Sequence, residues 1–411
     1  LAYILTSAIE SLKGNKTVNY LKLRVGYSTS ANPPSPYSTR AYLNTVTRAF
    51  VTNGGTTVST NSNSTLLPNP NIKPELLREI ETGAEGRFFD NRLTMDLTLY
   101  YRIAKDQILF RSLDPSTGFT SEQVNGGKVV NKGIELSLGY NVIRGKNWKW
   151  DLTALYTLNR SMVSEIPADI KFINTAGYSN FGTIAENGQP LGVILGSYWV
   201  RDPKSGQRIV DPTSGDYIIS NDVGIIGDPT PLYKLTGISN LSYKAFSFRM
   251  QWDYTAGGQM FSSTASALLG RGVTKDTEFD RAAPYILPGV DPNGNPNKVQ
   301  ITASQAYFDN SVTNAGAIAP YETGIYDATC IRLREASLTY NLPGKYLTKT
   351  PFGAVSLTFS GTNLWYYAPN FPKYVHFDPD ASGLGVGNGR GMEFLSGPSA
   401  RRFGASLRVT F

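Results

Sequence analysis

The residue types that usually carry catalysis are scarce in this sequence. It has one histidine and one cysteine in 411 residues. His376 stands beside Asp378 and Asp380, a grouping that could polarise water or hold a metal. A zinc site takes three or four His, Cys or carboxylate ligands, and no second histidine exists. A lone imidazole without a nucleophile is a poor acid–base pattern, so this segment reads as a loop turn. Cys330 cannot form an internal disulfide and reads as a small, inert strand residue. Asp291-Pro-Asn-Gly-Asn-Pro296 spaces oxygen ligands at its first, third and fifth positions. Proline stands where a calcium loop needs glycine, and the twelfth position is not glutamate. Asp202-Pro-Lys-Ser-Gly and Asp211-Pro-Thr-Ser-Gly read as β-turns. The glycine run Gly383–Gly391 never spells the dinucleotide fingerprint and has no strand–helix context. No catalytic residue, metal or cofactor is expected.

Charged and aromatic residues remain. Glu79, Glu81, Glu85 and Arg87 fall on one face of one segment. Asp96, Arg102, Glu135, Lys149, Asp151, Arg249 and Asp253 fall on the matching face of others. Carboxylates in like environments have no reason for split pKa values, which argues against acid–base work. The same charges suit the wall of a wet passage. Aromatic faces stack on sugar rings and pack on peptide side chains, and Trp and Tyr also dominate protein–protein contacts. Tyr198-Trp199 lies in a long connection, and Trp365-Tyr366-Tyr367 sits at a strand end beside another. The expected solute contacts are Tyr198, Trp199, Trp365, Tyr366, Tyr367, Arg249 and Asp253. Two other uses compete for the aromatics: small cores within folded loops, and an interfacial girdle for Trp365–Tyr367.

The elements that must position these residues are strands. Ten segments alternate apolar and polar residues with a period of two. In the cleanest, Leu93, Met95, Leu97, Leu99, Tyr101 and Ile103 alternate with Thr94, Asp96, Thr98, Tyr100 and Arg102. In Thr329–Leu342, Ile331 and Leu333 are out of phase with Ala336 and Leu338, which predicts a β-bulge. Short connections, such as Asp90-Asn91, Arg144–Asn147 and Lys244-Ala245, alternate with long ones near 29–78, 104–128, 159–231, 257–327 and 366–400. A compact soluble domain rarely carries such loops. An outer-membrane barrel expects them on its outer face. Aromatics cap the apolar faces at Tyr27, Phe88, Tyr101, Tyr140, Trp148, Tyr243, Phe246, Tyr254, Phe403 and Phe411, as two interfacial girdles require.

Composition agrees. Aromatic content of 12% excludes disorder. No apolar run reaches the roughly 18 residues of a membrane helix. The net charge is +7, but Lys and Arg are spread singly, so no nucleic-acid partner is expected. The chain starts without Met inside an apolar stretch, which reads as a fragment or mature piece. The fold class is all-β: a transmembrane up-and-down antiparallel β-barrel.

Several motifs resemble one family in order. They are Leu21-Lys-Leu-Arg-Val-Gly-Tyr27, Asn69-Pro-Asn-Ile-Lys-Pro-Glu75, Arg87-Phe-Phe-Asp-Asn-Arg-Leu93 and Asn131-Lys-Gly-Ile-Glu-Leu-Ser-Leu138. Ile226-Gly-Asp-Pro-Thr-Pro231, Ile331-Arg-Leu-Arg-Glu-Ala-Ser-Leu338, Gly361-Thr-Asn-Leu364 and Asp378-Pro379 continue the series. The chain is similar to the carboxyl-terminal half of SusC/RagA-like TonB-dependent outer-membrane transporters of Bacteroidota. Ser28–Asn32 and Cys330 depart from the usual pattern.

The resemblance implies about ten C-terminal strands of a barrel of roughly 22, the size class that holds a plug. The plug domain and the N-terminal strands are absent from this sequence. Two open sheet edges would be very costly in lipid, so the remaining strands are expected in the native molecule. The resemblance further implies the bacterial outer membrane, TonB acting through the missing N-terminal region, and a SusD-like surface lipoprotein. That lipoprotein would cap the barrel over a glycan or peptide solute, with loops 29–78 and 104–128 as its hinge. A barrel serving secretion or adhesion, and an outer-membrane enzyme, are the alternatives.

Overall fold

The computed structural model describes residues 1–45, 50–58, 61–311, 319–381, 383–384 and 387–411. The middle of the glycine run, residues 385–386, lies outside them. One antiparallel sheet of eleven strands forms the wall, each strand pairing with the next in chain order. Its strands are β1 (Ala2–Ile4), β2 (Val18–Asn32), β3 (Glu75–Phe88), β4 (Leu93–Lys105), β5 (Lys128–Arg144) and β6 (Trp148–Ser164). They continue with β7 (Tyr233–Tyr243), β8 (Phe246–Ala256), β9 (Cys330–Asn341), β10 (Ala354–Tyr367) and β11 (Arg402–Thr410). The weak alternation at Tyr233–Tyr243 is a full wall strand. Several strands run past the expected loop starts, β2 to Asn32 and β6 to Ser164. Among the described residues, β1 and β11 each have one neighbour, so both sheet edges are unpaired.

Register follows the period-two pattern. Leu97 lies between Ala84 and Leu136, and Thr98 between Gly83 and Glu135. Apolar rows therefore share one face and polar rows the other. The apolar face is outward and bare: Leu23, Leu99, Leu338 and Leu407 are all exposed. In water that would be a fault; against lipid it is the solvent-matched face. The aromatic rows sit at its two ends. Trp148, Tyr243, Phe246 and Tyr340 occupy one row across four strands. Tyr156, Tyr233 and Tyr254 form the other, with ring centroids 5.6 and 6.1 Å apart.

The short turns use left-handed backbone, at Asp90, Asn91 and Lys244. Asp and Asn tolerate that conformation better than most residues. The predicted bulge is present: Gln251 pairs with Glu335 but Trp252 pairs with Leu333, leaving Arg334 without a partner. On the other flank the register steps from Glu335–Thr362 to Leu333–Trp365, and Asn363 turns at φ 53°.

The long connections fold into a layer of their own. Leu66–Leu67, Ile108–Ser112 and Ser121–Asn125 form one small sheet. A four-stranded sheet spans Ile173–Gly227, and a third joins Gln259–Ser262, Ile325–Asp327 and Met392–Glu393. Hydrophobic clusters form here: one around Trp199, Val210, Tyr217, Leu287 and Ile301, another around Met260, Leu269, Phe371 and Phe377. No described helix is long and apolar enough to cross a membrane.

Candidate solute path at the barrel mouth

The inner wall is a lattice of cross-strand ion pairs. Glu79 on β3 takes two hydrogen bonds from Arg102 on β4, at 2.9 and 3.2 Å. Arg24 on β2 reaches across β3 to Asp96 on β4 at 2.7 Å. Gly83 permits that crossing, because a Cβ there would stand 2.8 Å from the Arg24 Nε. The Tyr100 ring likewise lies over Gly133 and its hydroxyl donates to Asn159 at 3.0 Å. These side chains lie along the wall, and the lumen beside Glu79, Glu81, Tyr100, Arg102 and Glu135 opens a polar cavity of about 400 Å³. Arg249 belongs to this lattice: it donates to Asn240 at 3.3 Å and faces Glu335 at 3.9 Å.

Nearer the loops the lattice becomes a joint. The bulge turns both Arg332 and Arg334 of β9 into the cavity at the mouth. Arg332 is buried and forms a bidentate pair with Asp378 of the loop 368–401, also buried, with one bond at 3.2 Å. Burial raises the Asp378 carboxyl; the hydrogen bonds from Arg332, Ser399 and the Asp380 N–H, together with the Arg332 charge, outweigh it and hold the group below the usual carboxylate range. Arg334 donates to Asp253 at 2.6 Å and to Asp380 at 2.7 Å. Asp253 also accepts from Thr236 and Gln251. Tyr366 faces the same way and its hydroxyl donates to the His376 carbonyl. The His376, Asp378 and Asp380 segment is thus a tied loop turn, as read from its residue types. No group of His, Cys, Asp and Glu among the described residues could hold a metal.

A second tie fastens the same loop. The Glu393 carboxylate is fully buried. It accepts from Ser262 Oγ at 2.9 Å, Thr264 N at 3.0 Å, Thr264 Oγ1 at 2.7 Å and Ser396 N at 2.5 Å. These hydrogen bonds satisfy a buried anion without a cation. They also set Ser262 at the N-cap of the helix Ser263–Gly270, where its Oγ accepts from Ala265 N.

The structure separates the seven expected contacts. Asp253 and Tyr366 flank Arg332 from the two neighbouring strands; Arg249 lies further down the same wall. Trp199 is 1% exposed and is the centre of a loop core, flanked by Tyr217 at 5.4 Å and Arg208. It cannot touch a solute as it stands, so the loop-core alternative describes it. Tyr198 is half-buried beside Gly224. Trp365 and Tyr367 pair with Leu333 and Ile331 on the outward face, and Trp365 meets the outward Trp252 at 5.9 Å. Their place is the interfacial girdle, not the lumen. Adjacent strand residues point to opposite faces, so Tyr366, set opposite Arg332, faces inward and its two neighbours face outward.

Arg332, Arg334 and Glu393 were missed. The phase slip at Ile331–Leu338 carried a usable signal, because a bulge there turns two arginines to one side. Glu393 carried none: nothing local marks one carboxylate of a Gly/Ser-rich loop as buried.

Residues 16–364 match the family model described as TonB dependent receptor-like, beta-barrel. The TonB-dependent receptor P3 of Formosa agariphila is 27% identical over 97% of this chain and 40% of its own length. The TonB-dependent receptor SusC of Bacteroides thetaiotaomicron is 23% identical over 80% of this chain and 32% of its own. A solved structure of the RagAB peptide transporter superposes with a TM-score of 0.72 at 18% identity, covering all of this chain and 43% of that one. The chain thus spans about two fifths of the length of P3, 40%. These relatives are receptors and transporters, not enzymes.

Proposed function

The chain belongs to the TonB-dependent receptor β-barrel family of the bacterial outer membrane, and from that premise we propose that it builds part of a nutrient importer. The importer draws an oligomeric solute, a glycan or a peptide, across the outer membrane together with a SusD-like lipoprotein. The observation that carries this reading is the pairing of a polar lumen with a folded loop layer over its mouth. A passive pore needs only the lumen. A surface held rigid by its own cores suits a protein cap, because pre-ordered loops lose little entropy on docking. The sheet shared by Leu66–Leu67, Ile108–Ser112 and Ser121–Asn125 ties loops 29–78 and 104–128 into one block, which fits a hinge. RagAB, which shares this fold, is a peptide transporter, and that supports import of an oligomer. TonB acts through the part of the protein outside this chain, where a plug and the remaining strands of a barrel of about 22 belong.

The test is native extraction of the tagged full-length protein from outer membranes, followed by denaturing mass spectrometry. A lipoprotein should co-purify in stoichiometric amount, and solute accumulation should stop when TonB is deleted. A transporter that purifies alone, with growth indifferent to TonB, would favour the secretion or adhesion barrel.

A further inference from the structure

The mouth cavity of about 240 Å³ brings four cations together: Lys234, Arg332, Arg334 and Arg390. Two of them are fully engaged. Arg332 holds Asp378, and Arg334 holds Asp253 and Asp380. The other two are not. Among the described residues, Lys234 and Arg390 have no carboxylate within ion-pair distance and no side-chain hydrogen bond, while both line the cavity. Lys234 is placed by its strand, facing inward opposite Thr255. Arg390 is placed by its neighbour: Gly391 adopts φ 77°, and its carbonyl accepts from Phe261 N at 2.8 Å. A side chain at 391 would strike Pro229, so the turn that carries Arg390 is closely packed. Two like charges lining one cavity repel each other. An oxyanion between them removes the repulsion and gains charge-assisted hydrogen bonds, bidentate at the guanidinium.

We propose that Lys234 and Arg390 form an anion site at the barrel mouth, and that the imported oligomer carries a carboxylate or sulfate group to fill it. The proposal rests on the importer reading and adds the substrate class. Asp253 then acts as a positioning residue, holding Arg334 aside while Lys234 stays available. Neutral oligomers would gain nothing from the two cations.

The test uses the purified full-length transporter in detergent, with inorganic sulfate as the first probe. Unfolding midpoints are read in sodium sulfate and in sodium chloride at equal ionic strength. Sulfate also acts by exclusion from the surface, equally on every variant, so the difference between variants is the readout. Wild type should gain several degrees over K234Q/R390Q at saturating anion, and K234R/R390K should keep most of that gain. Equal sulfate shifts in wild type and K234Q/R390Q would overturn the site. Tetragalacturonate and tetraglutamate then separate a sugar carrier from a peptide carrier. One of them should protect wild type more than sulfate does; if neither does, the oligomer claim is overturned. The importer reading fails by a different result, absence of the lipoprotein and of TonB dependence, which leaves the sulfate difference intact.

Discussion

The wall and the loop layer solve opposite solvent problems with the same residue types. On the wall, Leu99, Leu338 and Leu407 face outward, and the polar residues face a wet interior. In the loop layer, Trp199, Ile194, Leu195 and Met392 are almost fully buried. Lipid gives the wall no hydrophobic gain from packing strand on strand, so its stability comes from the strand-to-strand hydrogen-bond ladder and from matching the bilayer. The loops stand in water and must build cores, as soluble domains do. The mouth is where the two regimes meet, and the structure fastens them there with Arg332–Asp378 and with Glu393. A long loop on this barrel is thus a folded body seated on its rim.

The sharpest way to break that junction is Asp378→Ala. It leaves Arg332 buried with only the longer contact to Asp380 at 3.6 Å, and should cost about 3–5 kcal/mol. Protease should then cut within 368–401 while the barrel remains heat-modifiable on gels. Trp199→Ala should cost a similar 3–5 kcal/mol within the loop layer, because it empties a core. It should expose residues 190–230 to hydrogen exchange and leave the wall unchanged. On the wall the sign of tolerance reverses. Leu99→Arg should cost about 2–4 kcal/mol near the bilayer midplane, whereas Thr98→Arg on the wet face should be mild; folding yield into liposomes separates the two. The second tryptophan completes the contrast: Trp365→Ala, at the girdle, should change stability by about 0.5 kcal/mol or less.

Acid should loosen the junction late. The folded Asp378 carboxyl is depressed below its ordinary 3.8. Its contribution is therefore complete above that value and is lost only as pH falls through the lower, folded one. Loop protection against protease at pH 4 should match that at pH 7 and fall below pH 3.8; early loss near pH 5 would mean the pair is not formed.

These regions also differed in how far they could be read from residues alone. The wall was legible because a period of two determines facing, and even the bulge at Arg334 left a phase slip. Arg249 and Asp253 were correctly set on the inner face for the same reason. The loop layer was not legible. Its cores join residues far apart in sequence, such as Phe261 with Met392 and Trp199 with Ile301, and no local period records those meetings. Aromatic residues in loops therefore looked like a binding surface, when Trp199 is core and Trp365 and Tyr367 are girdle. Lys234 was overlooked because a lone inward lysine on a weakly alternating strand resembles every other wetting charge on the wall.

The most direct test of the account is a nitroxide scan along Leu93–Ile103 in the full-length protein, reconstituted in liposomes. The account predicts that odd positions collide with oxygen dissolved in lipid, and even positions with an aqueous nickel complex. Uniform access to nickel at every position would place both faces in water and contradict the membrane wall on which the rest depends.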